Sequence, residues 1–176
     1  SNEGKTDTYT LQIPVFKYTG KNKQALAGAK FKLYDVENNG TAMQFIQKEN
    51  TQDYRKALST ETGIAEITTD DTGKFNIQGL KPGTYWLEES AAPNGYNKLA
   101  KKIEIVLNEW GNVKINGVDK DTDTGLPFSI VEVENNAGTL LPSTGGMGTT
   151  MIYMAGAILV IASGIVLVSK KRSKAK

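Results

Sequence analysis

Residues 84–96 read TYWLEESAAPNGY and indicate how this chain folds. The side chains of an extended segment alternate between two faces, so Tyr85, Leu87 and Glu89 point to the same side. Residues 93–95 (Pro-Asn-Gly) then end the segment, because each of them favours a turn. The stretch predicts a half-buried β-strand followed by a tight turn, with a carboxyl group on its apolar face.

Similar short segments, separated by turn-forming residues, fill most of the region between residues 9 and 138. The predicted strands are Leu11–Thr19, Ala29–Asp35, Ala42–Gln47, Ile64–Thr68, Lys74–Gln78, Thr84–Glu89, Lys102–Leu107, Asn112–Ile115 and Phe128–Glu134. Residues 48–61 are ambiguous and fit either a long loop or one helical turn. Many short strands with frequent turn signals are typical of a sandwich or barrel, so we expect an all-β domain.

The composition excludes most enzyme chemistry. The chain of 176 residues contains neither histidine nor cysteine. Ser-His-Asp and Cys-His catalytic sites are therefore excluded, together with disulfides, thiol nucleophiles and most zinc sites. The net charge of +2 arises from a basic tail at residues 170–176, and the rest of the chain is mildly acidic. This charge distribution does not predict a nucleic-acid-binding surface.

Residues 119–125 (DKDTDTG) resemble a calcium-binding loop only in part. The glycine comes one position late, and Ile130 stands where such a loop carries a glutamate. Asp, Thr and Gly are also common turn formers, so a solvated turn is the preferred interpretation. We therefore expect neither a metal nor any other cofactor.

The C-terminal region predicts a membrane-spanning helix. Residues 151–168 (MIYMAGAILVIASGIVLV) are uncharged and almost all apolar. As a helix they would span roughly 27 Å, close to the ~30 Å hydrocarbon core of a membrane. The basic cluster within residues 169–176 predicts a cytoplasmic tail, which places everything upstream outside the cell. Residues 1–8 predict a linker or disordered start, and because export needs a targeting segment we expect a longer precursor.

Lys17, Glu89 and Asn135 each fall in phase with the apolar side chains that precede them on a predicted strand. A single polar residue of this kind usually lies at a strand end and reaches water. Three of them in one domain without disulfides favour a shared function. Burial favours the neutral form of an amine and of a carboxylic acid, and a neutral amine is a nucleophile.

Residues 85–96 (YWLEESAAPNGY) resemble the YxLxExxAPxGY box of Cna protein B-type (CnaB) domains, which occur in sortase-assembled pilins and adhesins. Residues 26–34 (LAGAKFKLY) match the LxGAxFxLY segment of that family, and residues 79–85 (GLKPGTY) match its GLxPGTY segment. The resemblance implies a seven-stranded, inverse Ig-like β-sandwich. We assign residues 9–138 to this domain.

The resemblance also implies a covalent cross-link. In CnaB domains an isopeptide bond joins a lysine of the first strand to an asparagine of the last strand, assisted by the glutamate of the box. Carried over position by position, these residues are Lys17, Asn135 and Glu89, with Glu89 as the catalytic residue. Asn136 is the neighbouring alternative, although its phase is wrong for the core. Such a bond forms once per chain, so we do not expect an enzyme with turnover.

A processing signal precedes the apolar span. Together with the span and the basic tail, the pentapeptide Leu141-Pro142-Ser143-Thr144-Gly145 resembles the LPxTG cell-wall sorting signal of Gram-positive surface proteins. This implies cleavage by a sortase between Thr144 and Gly145 and transfer of Thr144 to an amine of peptidoglycan or of a neighbouring pilin subunit. The membrane helix would then be temporary. We take residues 139–150 as the motif and its linker.

Three functions fit this organisation. The preferred one is a structural protein of the cell surface, namely the C-terminal domain of a pilin or stalk subunit. One alternative is the stalk of a wall-anchored adhesin, whose ligand site lies upstream or on the loops of this domain. The other is the anchor of a wall-bound enzyme whose catalytic domain is absent from this sequence.

Overall fold

The computed structural model describes residues 11–111, 113–120 and 129–138. Within these residues the strands are β1 (Leu11–Thr19), β2 (Gln24–Ala25), β3 (Lys30–Tyr34), β4 (Phe45–Gln47), β5 (Asp53–Lys56), β6 (Ile67–Thr68), β7 (Lys74–Leu80), β8 (Gly83–Ala91), β9 (Ile103–Leu107), β10 (Val113–Ile115), β11 (Val118–Lys120) and β12 (Val131–Glu134). No helix in these ranges is long and apolar enough to cross a membrane. The predicted linker at residues 1–8, the sorting motif, the membrane helix and the basic tail lie outside the described residues.

The strands form two six-stranded sheets. The first sheet has the order β12-β1-β7-β5-β4, with β2 paired to the end of β1, and the second has the order β11-β10-β9-β8-β3-β6. Strands β1 and β12 pair in parallel, as do β5 and β7, whereas the other pairs are antiparallel. This arrangement confirms the predicted all-β sandwich. It also brings the first long strand of the domain beside the last.

The core lies between the inner faces of the two sheets. Strand β1 alternates between buried and half-buried side chains along its length, and β8 follows the same alternation. The rings of Phe31 on β3 and Phe75 on β7 are 5.3 Å apart, so the two sheets are in direct contact. Each fully buried aliphatic or aromatic side chain of this kind stabilises the fold by about 1.5–3 kcal/mol.

The structure differs from the sequence prediction in its minor strands. The ambiguous segment 48–61 contains β5, which is neither a loop nor a helical turn, and β2 and β11 were not predicted. These three strands are short and mostly polar, so their apolar periodicity is weak. The total in the described ranges exceeds the seven strands that the resemblance implies, because several are only two or three residues long.

A two-residue turn at Asn116-Gly117 joins β10 to β11. Both residues have a positive φ, 48° for Asn116 and 78° for Gly117. Such a pair is typical of the type I′ hairpin turn, whose twist matches that of the strands it connects. The turn places the side chain of Asn116 beside β9, where the amide N–H of Glu104 donates to its Oδ1 at 2.9 Å.

Candidate functional site

Lys17 lies near the end of β1 and points into the core. Its side chain is 0% exposed, and it continues the buried face of this strand. The predicted inward phase of Lys17 is therefore confirmed. The backbone N–H of Lys17 donates to the carbonyl oxygen of Gly73 at 2.7 Å. A Cβ at Gly73 would clash with the backbone oxygen of Lys17, and Gly73 has a φ of 66°, so this close approach requires glycine.

Asn135 follows directly after β12, the strand that pairs with β1, and its side chain enters the core close to the end of β1 that carries Lys17. The parallel register pairs Lys17 with Val133 and Tyr18 with Glu134. The backbone N–H of Asn135 then donates to the carbonyl oxygen of Tyr18 at 2.9 Å, which extends the pairing by one residue. The side chain of Asn135 is 1% exposed.

The alternative residue, Asn136, has a different environment. It is half-buried, and its backbone carbonyl accepts a hydrogen bond from the N–H of Asn97 at 3.1 Å. The residue after it, Ala137, forms an isolated antiparallel bridge with Tyr96. Of the two adjacent asparagines, Asn135 is therefore the one that enters the core, in agreement with the predicted phase.

Glu89 lies on β8 of the second sheet and faces the other two residues across the sandwich. It is 1% exposed. Its Oε2 accepts a hydrogen bond of 2.9 Å from Nδ2 of Asn135 and another of 2.8 Å from the backbone N–H of Leu99. The sandwich thus brings together the three side chains that the sequence singled out, although they are far apart along the chain.

The surroundings of Lys17 favour a neutral amine. Burial lowers the pKa of Lys17 from 10.5 to about 8, although the negative charges of Glu89 and Glu134 act in the opposite direction. The Nζ of Lys17 donates to the carbonyl oxygen of Val133 at 3.0 Å and to that of Tyr18 at 3.3 Å. A neutral amine has two N–H bonds and one lone pair. The two carbonyls can accept both N–H bonds of this neutral form.

Two oxygens of this cluster have no hydrogen-bond partner among the described residues. They are Oδ1 of Asn135 and Oε1 of Glu89, and both are buried. A buried polar atom without a partner costs about 1–3 kcal/mol, and a catalytic role is one reason why native structures keep such an atom. The side-chain carbonyl oxygen of Asn135 therefore accepts no hydrogen bond from a described residue, and a proton donor can reach it during a reaction.

The sequence reasoning missed the backbone groups that complete the site. The N–H of Leu99 orients Glu89, and the carbonyls of Val133 and Tyr18 orient the Lys17 amine. No residue type encodes these contacts, because they come from main-chain atoms. The parallel register of β1 and β12 determines the two carbonyls, and it becomes visible only in the structure.

No group of three or more acidic residues within the described ranges is placed so that it could hold a metal ion. Residues 121–125 of the predicted solvated turn lie outside those ranges.

Comparison with known proteins relates this fold to one family. Residues 12–121 match SpaA, a family described as a prealbumin-like fold domain. The chain belongs to this family. Residues 133–176 match the LPXTG cell wall anchor motif. The predicted resemblance to a pilin domain and the predicted sorting signal are thus confirmed, and this SpaA-family chain is a cell-wall-anchored surface protein.

Individual relatives are pilus proteins. The fimbrial subunit type 1 of Actinomyces viscosus is 32% identical over 167 residues, which cover 86% of this chain and 30% of that protein. The pilus 2b backbone protein of group B streptococcus is 32% identical, with a TM-score of 0.51 over 74% of this chain and 42% of its own. The minor pilin of Streptococcus agalactiae has a TM-score of 0.51 at 22% identity over 78% and 48%, which shows the fold alone.

The chain spans less than half the length of each of these relatives. The two relatives at 32% identity are named as a fimbrial subunit and a pilus backbone protein. The domain described above is accordingly a pilin-type structural domain.

Proposed function

We propose that this chain is the isopeptide-stabilised, wall-attached domain of a pilin or stalk subunit, and that it is a substrate of sortase rather than an enzyme. The observation that carries the proposal is the burial of Lys17, Glu89 and Asn135 in one part of the core of a chain without cysteine. Asn135 donates to Glu89, and the Lys17 amine donates to the carbonyl oxygen of Val133, two residues before Asn135. A domain that cannot form disulfides gains a covalent link between its first and last strands. A structural subunit exposed outside the cell benefits from such a link.

The proposed reaction is an amide transfer within the folded chain. The neutral Nζ of Lys17 attacks Cγ of Asn135, and the new C–N bond replaces the bond from Cγ to Nδ2. One ammonia leaves, so the product is an amide between the two side chains. Glu89 is already hydrogen-bonded to Nδ2 of Asn135. It can therefore take the proton that Nζ of Lys17 loses on forming the new bond and pass it to the departing nitrogen, while the fold holds the reactants close together.

The mass of the chain tests the cross-link. Residues 1–144, the expected product of sortase cleavage, should be lighter than their sequence mass by one ammonia. Lys17→Ala should restore the full mass, because the attacking amine is gone. Lys21→Ala is the matched control, since Lys21 is exposed in the turn after β1 and should not affect the reaction. A full sequence mass for the unmutated protein would rule out the bond, and peptide mapping identifies the asparagine involved.

The rate of bond formation should depend on pH through Lys17. The pKa of this amine in the fold is about 8, so the reactive neutral form diminishes as the pH falls below that value. Because the bond forms only once, the experiment needs chain that has never folded, made by chemical synthesis and diluted from denaturant. For this chain we expect the rate of ammonia loss to fall roughly tenfold per pH unit below pH 8 and to level off above it. Mass spectrometry at timed intervals measures the rate. An equal rate at about pH 6 and about pH 9 would contradict a role for the neutral amine.

Attachment to the wall should depend on the sorting motif. We infer that sortase cleaves between Thr144 and Gly145 and joins Thr144 to an amine of peptidoglycan or of a neighbouring pilin subunit. The match of residues 133–176 to the anchor motif supports this step. Thr144→Ala should abolish covalent attachment, so that the protein is extracted from cells by detergent, whereas Thr139→Ala should leave it in the wall fraction. Retention of Thr144→Ala in the wall after boiling in detergent would contradict the assignment.

A further inference from the structure

A cleft on the outer face of the second sheet is separate from the buried cluster. Tyr34, Trp86 and Glu104 lie side by side there, since Trp86 pairs with Tyr34 of β3 on one side and with Glu104 of β9 on the other. The side chain of Trp86 is half-buried and lines the cleft, which has a volume of about 640 Å³. This volume lies within the range of small-molecule binding sites.

One wall of the cleft is held by Lys102. Its Nζ donates to the carbonyl oxygen of Glu37 at 2.7 Å and lies 4.0 Å from the centre of the Tyr34 ring. The Tyr34 hydroxyl in turn donates to Oε2 of Glu88 at 2.7 Å, and this bond raises the pKa of Tyr34 to about 12. These contacts fix the loop after β3 against β9. The wall is therefore formed before any ligand arrives.

The opposite wall is the turn that joins β10 to β11. Asn116 and Glu104 are linked by two hydrogen bonds, one from the N–H of Asn116 to the Glu104 carbonyl at 2.8 Å and one from the N–H of Glu104 to Oδ1 of Asn116 at 2.9 Å. The second bond orients the side-chain amide of Asn116. Its Nδ2 is then the donor that a ligand can meet, while the Glu104 carboxylate is an acceptor in the same cleft.

The charges that line the cleft balance. Glu37 and Glu104 contribute two carboxylates, and Lys101 and Lys102 contribute two ammonium groups. A strongly anionic ligand would be attracted by the two ammonium groups and repelled by the two carboxylates. A strongly cationic ligand would meet the reverse. A ligand with many hydroxyl groups and no net charge can use donors and acceptors alike, and the flat C–H face of a sugar ring can stack on the ring of Trp86.

We propose that this cleft binds one ring of a neutral glycan, with Trp86 as the stacking platform and with Asn116 and Glu104 as hydrogen-bonding partners. The proposal goes beyond a structural role, because it gives the domain a binding activity of its own. It is independent of the cross-link, since none of these residues belongs to the buried cluster. The glycan can come from the bacterial wall or from a host surface, and the test separates these sources.

The two tryptophans of the chain make a direct test possible. Trp110 lies in the loop between β9 and β10 and is 74% exposed. In the full chain, kept in a sugar-free zwitterionic detergent, Trp110→Phe leaves Trp86 as the only indole and thus as a reporter of the cleft. Titration with glucose, galactose, mannose and N-acetylglucosamine, and with their dimers, should change its emission in a saturable way. The expected dissociation constant for a single ring is on the order of 1 mM.

Matched variants and ligands decide the outcome. Trp86→Phe keeps an aromatic side chain in β8 and leaves Trp110 as the reporter, so its emission should not change with sugar. Backbone amide shifts measured by NMR should show binding to Trp86→Phe weakened several-fold and binding to Trp86→Ala weakened at least tenfold. Fragments of wall polysaccharide and neutral mammalian-type oligosaccharides, titrated separately, identify the source by their relative affinities. Absence of any saturable change, unaltered affinity in the folded Trp86→Phe chain, or a preference for acidic sugars would each overturn the proposal.

Discussion

Replacing Lys17 by methionine should lower the free energy of unfolding by about 5 kcal/mol, because it removes a cross-link that closes a loop of about 120 residues. The cross-link reduces the conformational entropy of the unfolded chain, and its loss returns that entropy. Methionine is chosen because it is close to lysine in length and is apolar. In a site with 0% exposure it should pack at least as well as an amine. The destabilisation can therefore be attributed to the missing bond.

Unfolding in guanidinium chloride measures this effect as a shift of the midpoint. Lys21→Met changes an exposed lysine in the turn after β1 and should unfold at the same denaturant concentration as the unmutated protein. Equal midpoints for Lys17→Met and the unmutated protein would mean that packing alone holds β1 and β12 together. That result would contradict the proposed cross-link, but it would leave the fold and the family assignment unchanged.

Replacing Glu89 by glutamine should slow bond formation by about 10²–10⁴-fold, which is the usual contribution of a general acid or base. Glutamine keeps the shape of the side chain, and its carbonyl oxygen can still accept the N–H of Leu99. It cannot carry a proton from the attacking amine to the leaving ammonia. We therefore expect Glu89→Gln to fold and yet to retain its full sequence mass.

Glu88→Gln is the matched control for this experiment. Glu88 is the adjacent residue of β8, but it lies on the opposite face, where it accepts a hydrogen bond from the Tyr34 hydroxyl. This variant should lose ammonia as the unmutated protein does. If Glu89→Gln also lost ammonia at the unmutated rate, Glu89 would be a positioning residue for the Asn135 amide and not the group that moves the proton.

Much of the fold could be predicted because its long strands carry a clear alternation. Strand β1 ends where the pattern predicts, at Thr19, and its inner face is buried along most of its described length. The same alternation in the sequence predicts that Lys17 points into the core. A charged residue in an apolar phase is informative because burial of such a group is costly without a function or a partner.

The parts that could not be predicted lack this alternation. Strand β5 has the sequence DYRK, and only Tyr54 within it is buried. Its place in the sheet depends on parallel pairing with β7, a contact that local sequence does not encode. All three residues of β11 are exposed, so a pattern of burial cannot reveal it. The cleft beside Trp86 also depends on strand order, which brings Tyr34 and Glu104 to either side of that residue.

The parallel pairing of β1 and β12 has a mechanical consequence. A surface fibre is pulled from its two ends, so tension would enter at the start of β1 and leave after the end of β12. In a parallel pair these points are at opposite ends of the ladder, so the two strands are loaded in shear and all of their hydrogen bonds resist together. With the proposed bond between Lys17 and Asn135 in place, the force passes from one strand to the other through that bond. Residues 18–134, including the Trp86 cleft, would then carry no tension, and the domain would act as an inextensible link.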